Sequence, residues 1–325
     1  MKLLSAVFIL LFFTFSSFNS YCWGFFAHQR INRLAIFTLP IELVGFYKQH
    51  IQYITENAVA PDRRRYAVKY EAPRHYIDID AYGDNALQEI PRSWTKAVEL
   101  YTEDTLVAYG IVPWHIYVMK NQLTEAFRVK DVKRIIKLST EMGHYIGDAH
   151  VPLHTTKNYN GQYTNQKGIH GLWESRLPEI FSDNYDYFIG QATYIENPQL
   201  KAWEAVTSAH NALDSVLIFE SELTDRFPQD KKYSFEERNG ITTKVYSKEF
   251  CEAYHNMLSG QVERQIRASI KMIGDFWYTC WVDAGQPTLS SSKEKQVYIE
   301  SIMDEFKDIP VNNPHAPSHE SEIND

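Results

Sequence analysis

Glu141–Met142–Gly143–His144–Tyr145–Ile146–Gly147–Asp148–Ala149–His150–Val151–Pro152–Leu153–His154 is the stretch whose reading decides how this chain folds. Apolar positions recur at helical spacing over 132–149, so His144 and Asp148, four residues apart, project from one face of the end of a helix. Pro152 pushes Val151 out of helical geometry and turns the chain, which can bring His154 back beside the helix end. Further on, His170 and Glu174 make a second His/carboxylate pair at the same spacing. Neutral imidazole and carboxylate are good Zn²⁺ ligands, and helical spacing fixes their direction. One such pair is ordinarily a surface hydrogen bond. Two pairs, with His154 between them and further His and Asp residues upstream, point to a metal site built on helices.

Working outward, the same periodicity continues. It covers 112–129, then Val206, Ala209, Leu213, Val216 and Leu217, then Val262, Ile266, Ile270, Ile273 and Trp277. Few segments alternate with period two, so the expected fold class is all-α, a single multi-helix domain without a β-sheet core. Segments 62–92 and 155–170 are rich in polar, Gly and Pro residues and read as loops. No internal repeat is present. With 325 residues, 44% of them hydrophobic, the chain can bury a large core. The expected organisation is one mature domain over 23–285, followed by a helical extension and a disordered tail over 286–325.

Residues 1–22 read as a secretory signal. Lys2 supplies the positive start, Leu3 to Phe18 a mainly apolar stretch, and Ser20 and Cys22 the small residues before a cleavage at Trp23. The alternative is an uncleaved membrane anchor, for which the stretch is short and lacks a flanking charge cluster. Cys22 could also suggest a lipoprotein, but Asn19–Ser20–Tyr21 is not the usual small, apolar lead-in. The expected location is therefore secreted or periplasmic. Cys251 and Cys280 remain after cleavage, as one disulfide or as two buried thiols, and neither has the spacing of a cysteine metal site. The formal charge of -8 excludes a long basic track for nucleic acid. No stable nucleic-acid complex is expected, and any such substrate would have to be gripped locally.

The metal-type residues fall in a definite order. Trp23 and His28 come first, then Asp62 and His75, then His144-x3-Asp148-x5-His154, and last His170-x3-Glu174. In that order the chain resembles the zinc-dependent phospholipases C and the fungal and plant single-strand-specific nucleases, which share a helical fold and a trinuclear zinc site. The resemblance spans 23–174, and the helical remainder has compatible length. It implies three Zn²⁺ ions. Asp62, His75, His144 and Asp148 would hold one, and His154, His170 and Glu174 a second, more open one. The α-amino nitrogen and carbonyl oxygen of Trp23, with His28, would hold a third, with Asp148 bridging the first and third. His150 is no ligand in that pattern, and the remaining histidines lack the motif. The implied reaction is phosphodiester hydrolysis by a zinc-bridging hydroxide, with Asp62 orienting the attacking water. Arg65, three residues after Asp62, matches in spacing an arginine with which the nucleases stabilise the transition state, through paired hydrogen bonds to phosphate oxygens.

The two branches divide on small features. Glu174 as the last ligand and the short step from His154 to His170 resemble the phospholipases. The five-residue step from Trp23 to His28, the position of Arg65 and Trp173 before the last ligand resemble the nucleases. Tyr76 and Asp78 occupy positions where nucleases stack a base and bond its edge. An aromatic there could equally cup a choline headgroup, or simply pack beside His75. The sequence leans to a phospholipase C-like phosphodiesterase, with the single-strand endonuclease/3′-nucleotidase as alternative. A non-catalytic secreted zinc-binding protein is the remote one. A His/carboxylate metalloprotease would need a His-Glu-x-x-His run that is absent.

Overall fold

Helix Val132–Asp148 begins at Asp131, whose carboxylate accepts from the Arg134 N–H at 3.1 Å and satisfies one of the free donors of the first turn. From Leu138 onward every residue of this helix is buried, because helices Phe25–Ala35, Val112–Arg128 and Gln261–Asp283 all pack against it. In the computed structural model, residues 24–289 are described, apart from Asn239. The expected signal 1–22, Trp23 and all but the first few residues of the 286–325 extension lie outside the described residues.

Two glycines let helix Phe25–Ala35 come close. A Cβ at Gly143 would fall 2.1 Å from Asn32 Oδ1, and one at Gly147 would fall 3.2 Å from the His28 ring. Asn32 is itself fixed, its side-chain amide donating to Thr140 O at 2.9 Å. His28 and Asn32, four apart on one helix, thus lie on Gly143 and Gly147, four apart on the other. Ser139 of the central helix is engaged on both its main chain and its side chain. Trp277 Nε1–H donates to Ser139 O at 3.0 Å, and the Tyr47 hydroxyl meets Ser139 Oγ at 2.8 Å.

Helix Pro198–Arg226, capped by Asn197 onto Leu200 N–H, lies across helix Val112–Arg128 and covers the turn Pro152–Thr155. The fold is all-α as expected, with one addition. Strands β1 (Tyr233–Arg238) and β2 (Ile241–Tyr246) pair antiparallel as a hairpin, Tyr233 opposite Tyr246. Its sequence gives little alternation because much of it is exposed, Phe235 and Ile241 included. Arg176 ties the hairpin to the metal-type residues, donating to Glu236 at 3.0 Å and to Tyr246 O at 3.2 Å. Cys251 and Cys280 are free, buried thiols, and burial pushes each up to about 12. Among the described residues no helix is long and apolar enough to cross a membrane.

Candidate metal centre

Asp148 ends the central helix, fully buried, with four imidazoles around it. Its Oδ1 lies 3.4 Å from His28 Nε2 and 3.5 Å from His154 Nδ1, and its Oδ2 lies 2.9 Å from His75 Nδ1 and 3.2 Å from His144 Nε2. Asp62, from the short helix Ala60–Arg64, brings Oδ1 to 3.6 Å from His144 Nε2 and 3.7 Å from His75 Nδ1. The His28 and His144 rings stack with centroids 3.9 Å apart. A little apart, His170 Nε2 stands 3.0 Å from Glu174 Oε2, and His154 Nε2 is 3.5 Å from the same oxygen. Glu174 sits on a π-helical turn, Leu172–Arg176, held in the core by Trp173, whose Nε1–H donates to Gln261 at 3.0 Å. Three sets could each hold a metal ion: His28, His144 and Asp148; Asp62, His75 and His144; and His154, His170 and Glu174.

The hydrogen-bond pattern tests that fit. His144 Nδ1 meets Ala58 O at 2.8 Å, His154 Nδ1 meets His75 O at 2.9 Å, and His170 Nδ1 meets Tyr159 O at 3.0 Å. A carbonyl only accepts, so each Nδ1 carries a proton and each ring turns its Nε2 inward, where it offers a lone pair once that nitrogen is bare. His154 Nε2 and His170 Nε2 are then 3.2 Å apart, two lone pairs when both rings are neutral, facing a buried carboxylate. Among the described residues neither oxygen of Asp62 or Glu174 has a hydrogen-bond partner, although both residues are buried. Acceptors converging on acceptors repel one another unless a cation stands among them. Neutral imidazole with carboxylate suits Zn²⁺, so the residues fit the expected metal.

Without a metal, protons answer the same demand for positive charge. Burial alone would raise the carboxyl of Asp62, yet His144 and His75 hold it below the usual carboxylate range. Burial would likewise raise Asp148, which His144 and His154 hold well down. Burial opposes a charge on His144, but Asp148 and Asp62 outweigh it and push the ring up to about 10. His154 is also raised, Asp148 and Glu174 overcoming its burial. His28 and His75 are lowered, first by burial. The pocket between Asp62 and Asp148 thus favours positive charge.

Other expected site residues lie nearby. Arg65 Nη1 is 3.6 Å from Asp62 Oδ1, with its side chain mostly buried. Tyr76 is half-buried and lies near Arg65, Asp78 and Tyr159. Gly110, at φ +88°, leaves Tyr76 its place, since a Cβ there would fall 2.2 Å from Tyr76 O. Asp78 is buried, its N–H bonded to Tyr109 O at 2.7 Å. Gly24, the first described residue, is so close to Ser175, next to Glu174, that a Cβ on it would lie 2.8 Å from the hydroxyl. His150 stands apart from the ligand-type groups: its Nδ1–H donates to Ile146 O at 2.8 Å, and burial pushes it down to about 4. His115 packs edge-on against Tyr145.

Several contributors gave no signal in the sequence. Ala58 and Tyr159 act through main-chain carbonyls, which any residue type supplies. The Tyr159 phenol, pushed up to about 12 by burial, also lies near Arg65 and Asp78, and nothing in the polar loop singled it out. Glu71, wholly buried behind His75, looked like one more loop acid.

No family model matches the chain, and no curated protein matches it. Among solved structures, the alpha toxin from Clostridium absonum is similar in outline, at 11% identity and a TM-score of 0.47. The match covers 84% of this chain and 66% of the toxin chain, so this chain spans just under two thirds of the toxin's length.

Proposed function

We propose that the chain is a secreted, zinc-dependent phosphoric diester hydrolase that holds three zinc ions. The observation that carries this reading is that main-chain carbonyls fix the Nδ1 protons of His144, His154 and His170 and leave each Nε2 turned onto buried carboxylates. In it, Asp62, His75, His144 and Asp148 hold one ion, and His154, His170 and Glu174 a second. His28 holds the third together with the free amino terminus and carbonyl of Trp23. The division of the Asp148 oxygens, one toward His28 and the other toward His75 and His144, supports a bridge between the first and third. The place of Gly24 beside Ser175 supports a chain start within reach of these ligands.

When bound, the ions supply a hydroxide-like nucleophile near neutral pH and positive charge for the phosphoryl oxygens. The chain's own residues do the rest. Asp62, held ionised, accepts a hydrogen bond from the attacking water and sets its direction. Arg65, beside Asp62, offers two parallel N–H bonds to the phosphoryl oxygens as their charge grows. Tyr76 and Asp78, near Arg65, orient the group attached to phosphorus.

The substrate is read as a phospholipid headgroup ester, on Glu174 and the short His154-to-His170 step. A single-strand endonuclease/3′-nucleotidase is the second reading. It is favoured by Tyr76 lying near Tyr159 and Asp78, since two rings and an acceptor can stack and bond a base. The test is a side-by-side assay of zinc-loaded protein on phosphatidylcholine, single-stranded DNA, RNA and a chromogenic phosphodiester. Turnover of phosphatidylcholine with nucleic acids intact is expected. Nuclease activity alone would move the chain to the second reading, and no hydrolysis by a zinc-replete sample would leave a zinc-binding protein.

A further inference from the structure

Glu71 is wholly buried, and its carboxylate is gripped from three sides. Arg64 Nη2 donates to Oε1 at 3.1 Å, Arg74 Nη1 to Oε2 at 2.8 Å, and the Tyr145 hydroxyl also to Oε1. Arg64 is anchored in turn by Glu141, at 2.5 Å, and by the Tyr145 hydroxyl, at 3.1 Å. Glu141 and Tyr145 lie one turn apart on the central helix, and Tyr145 adjoins His144. Sinking a carboxylate this far is costly unless it is fully paired, and a loop far from any site gains little from it.

The group that Glu71 faces is His75. Of the rings that crowd the carboxylates, His144, His154 and His170 have their outer nitrogens fixed by main-chain carbonyls. The outer nitrogen of His75 has none. Among the described residues its Nε2 makes no hydrogen bond, and it stands 3.9 Å from Glu71 Oε1. Its Nδ1 points the other way, 2.9 Å from Asp148 Oδ2 and 3.1 Å from His144 Nε2. For Nδ1 to offer a lone pair to a cation, the ring proton must sit on Nε2. A fixed negative charge 3.9 Å away on that side favours this tautomer.

We propose that Glu71, clamped by Arg64, Arg74 and Tyr145, is a positioning residue that fixes His75 with its proton on Nε2 and its Nδ1 turned to the metal. The inference rests on the reading of the cluster as a metal centre. Glu71 touches no substrate and acts only through His75. Its effect is therefore local, falling on the ion shared by Asp62, His75 and His144 and sparing the one at His154, His170 and Glu174.

The experiment is a zinc titration of the metal-free protein against a chromophoric chelator, for wild type, Glu71→Gln and Tyr145→Phe, with melting of each metal-free protein alongside. Glutamine keeps the shape and loses the charge. Glu71→Gln is expected to weaken one ion by roughly 10–100-fold, the usual size for a carboxylate behind a ligating histidine. The others should bind as in wild type. Tyr145→Phe removes one of the three donors and keeps the charge, so a loss of roughly three- to tenfold at the same ion is expected. If Glu71→Gln lowers the melting temperature but binds every ion with wild-type affinity, Glu71 is only a structural fastening and the inference is overturned. An equal weakening of all ions overturns it too. Should Glu71→Gln fail to fold, Tyr145→Phe decides, selective weakening supporting the inference and unchanged affinity ending it. A wild-type protein that takes up no zinc is a different failure, since it removes the metal-centre reading itself.

Discussion

His144 and Asp148 stand on the last turn of a 17-residue helix walled in on every side, whereas His170 and Glu174 stand where a three-residue helix opens into a π-helical turn. The deep set gathers His28, Asp62, His75 and His144 around Asp148, all buried. The outer set has three members, and the His170 side chain keeps 15% of its surface exposed. A closed, over-determined set pre-organises charge, while an open one leaves room for a substrate oxygen or water. The difference teaches that one cluster of ligand types can split its tasks by the chain it is built on.

The hardest blow to that contrast is Asp148→Asn. A bound metal supplies several kcal/mol of transition-state stabilisation, so losing the deep ions should lower activity by about 10³-fold. Elemental analysis should show the deep ions lost and the outer one kept. His170→Ala should do the reverse, losing the outer ion alone. Should Asp148→Asn stay active while His170→Ala is dead, the roles of the two sets are exchanged.

Next is the amino terminus. An α-amine with a pKa of roughly 7.7–8.0 can give up its proton to a metal, whereas an amide is a poor ligand. A protein that retains one residue ahead of Trp23 should lose one deep ion and at least about 90% of its activity. Mass spectrometry identifies the terminus and elemental analysis the zinc. Full occupancy and full rate in the extended form would remove Trp23 from the deep set.

Arg65→Lys keeps the charge but not the paired geometry. Turnover should drop roughly 10–100-fold with the zinc count unchanged. Equal turnover would reduce Arg65 to a partner of Asp62.

Zinc binding should depend on pH with a definite sign. In the metal-free protein His144 is pushed up to about 10, so at pH 7 it holds a proton that zinc must displace. His28 and His75 are lowered and release none there. Zinc affinity should therefore rise about tenfold per pH unit from 7 toward 10 for each proton displaced, with proton release visible by calorimetry in buffers of different ionisation enthalpy. The stability that His144 lends the metal-free fold is complete below its ordinary 6.5 and is lost as pH rises through about 10. The metal-free melting temperature should fall over that window while the loaded form holds. A pH-independent affinity would mean that no proton occupies the place of the metal.

The smallest effect expected is Gly143→Ala, which presses a methyl onto the fixed Asn32 amide. It should destabilise the protein by about 1–3 kcal/mol and loosen His28 from the deep set. Chemical denaturation measures the first and zinc stoichiometry the second. An unchanged midpoint would mean that the helices can part freely.

The sequence showed one set of features better than the other. His144-x3-Asp148 and the Pro152 turn were legible because helical spacing and proline geometry are local rules, and the structure brings His154 back to Asp148 through that turn. The two-stranded hairpin was not, since its half-buried positions carry Glu236 and Thr243 while Phe235 and Ile241 face outward, so no apolar alternation is printed. The close approach of His28 was also hidden. It depends on Gly143 and Gly147 facing a helix more than a hundred positions away, and a glycine within a helix looks the same whether it admits a neighbour or merely weakens a turn. Glu71 and Tyr159 were invisible for a related reason, because what they face is settled only by packing.

The main-chain carbonyls of Ala58, His75 and Tyr159 have a consequence for how this protein can drift. The atoms that orient three imidazoles belong to the peptide backbone, so replacing the side chain of Ala58 or Tyr159 leaves the acceptor where it was. Point substitutions at those two positions are therefore nearly silent for ring orientation. An insertion or deletion is not, because one residue more or fewer between Tyr159 and His170 moves the carbonyl off the ring. Related chains should thus tolerate wide variation of residue type at 159 and very little variation in the length of the step from 159 to 170.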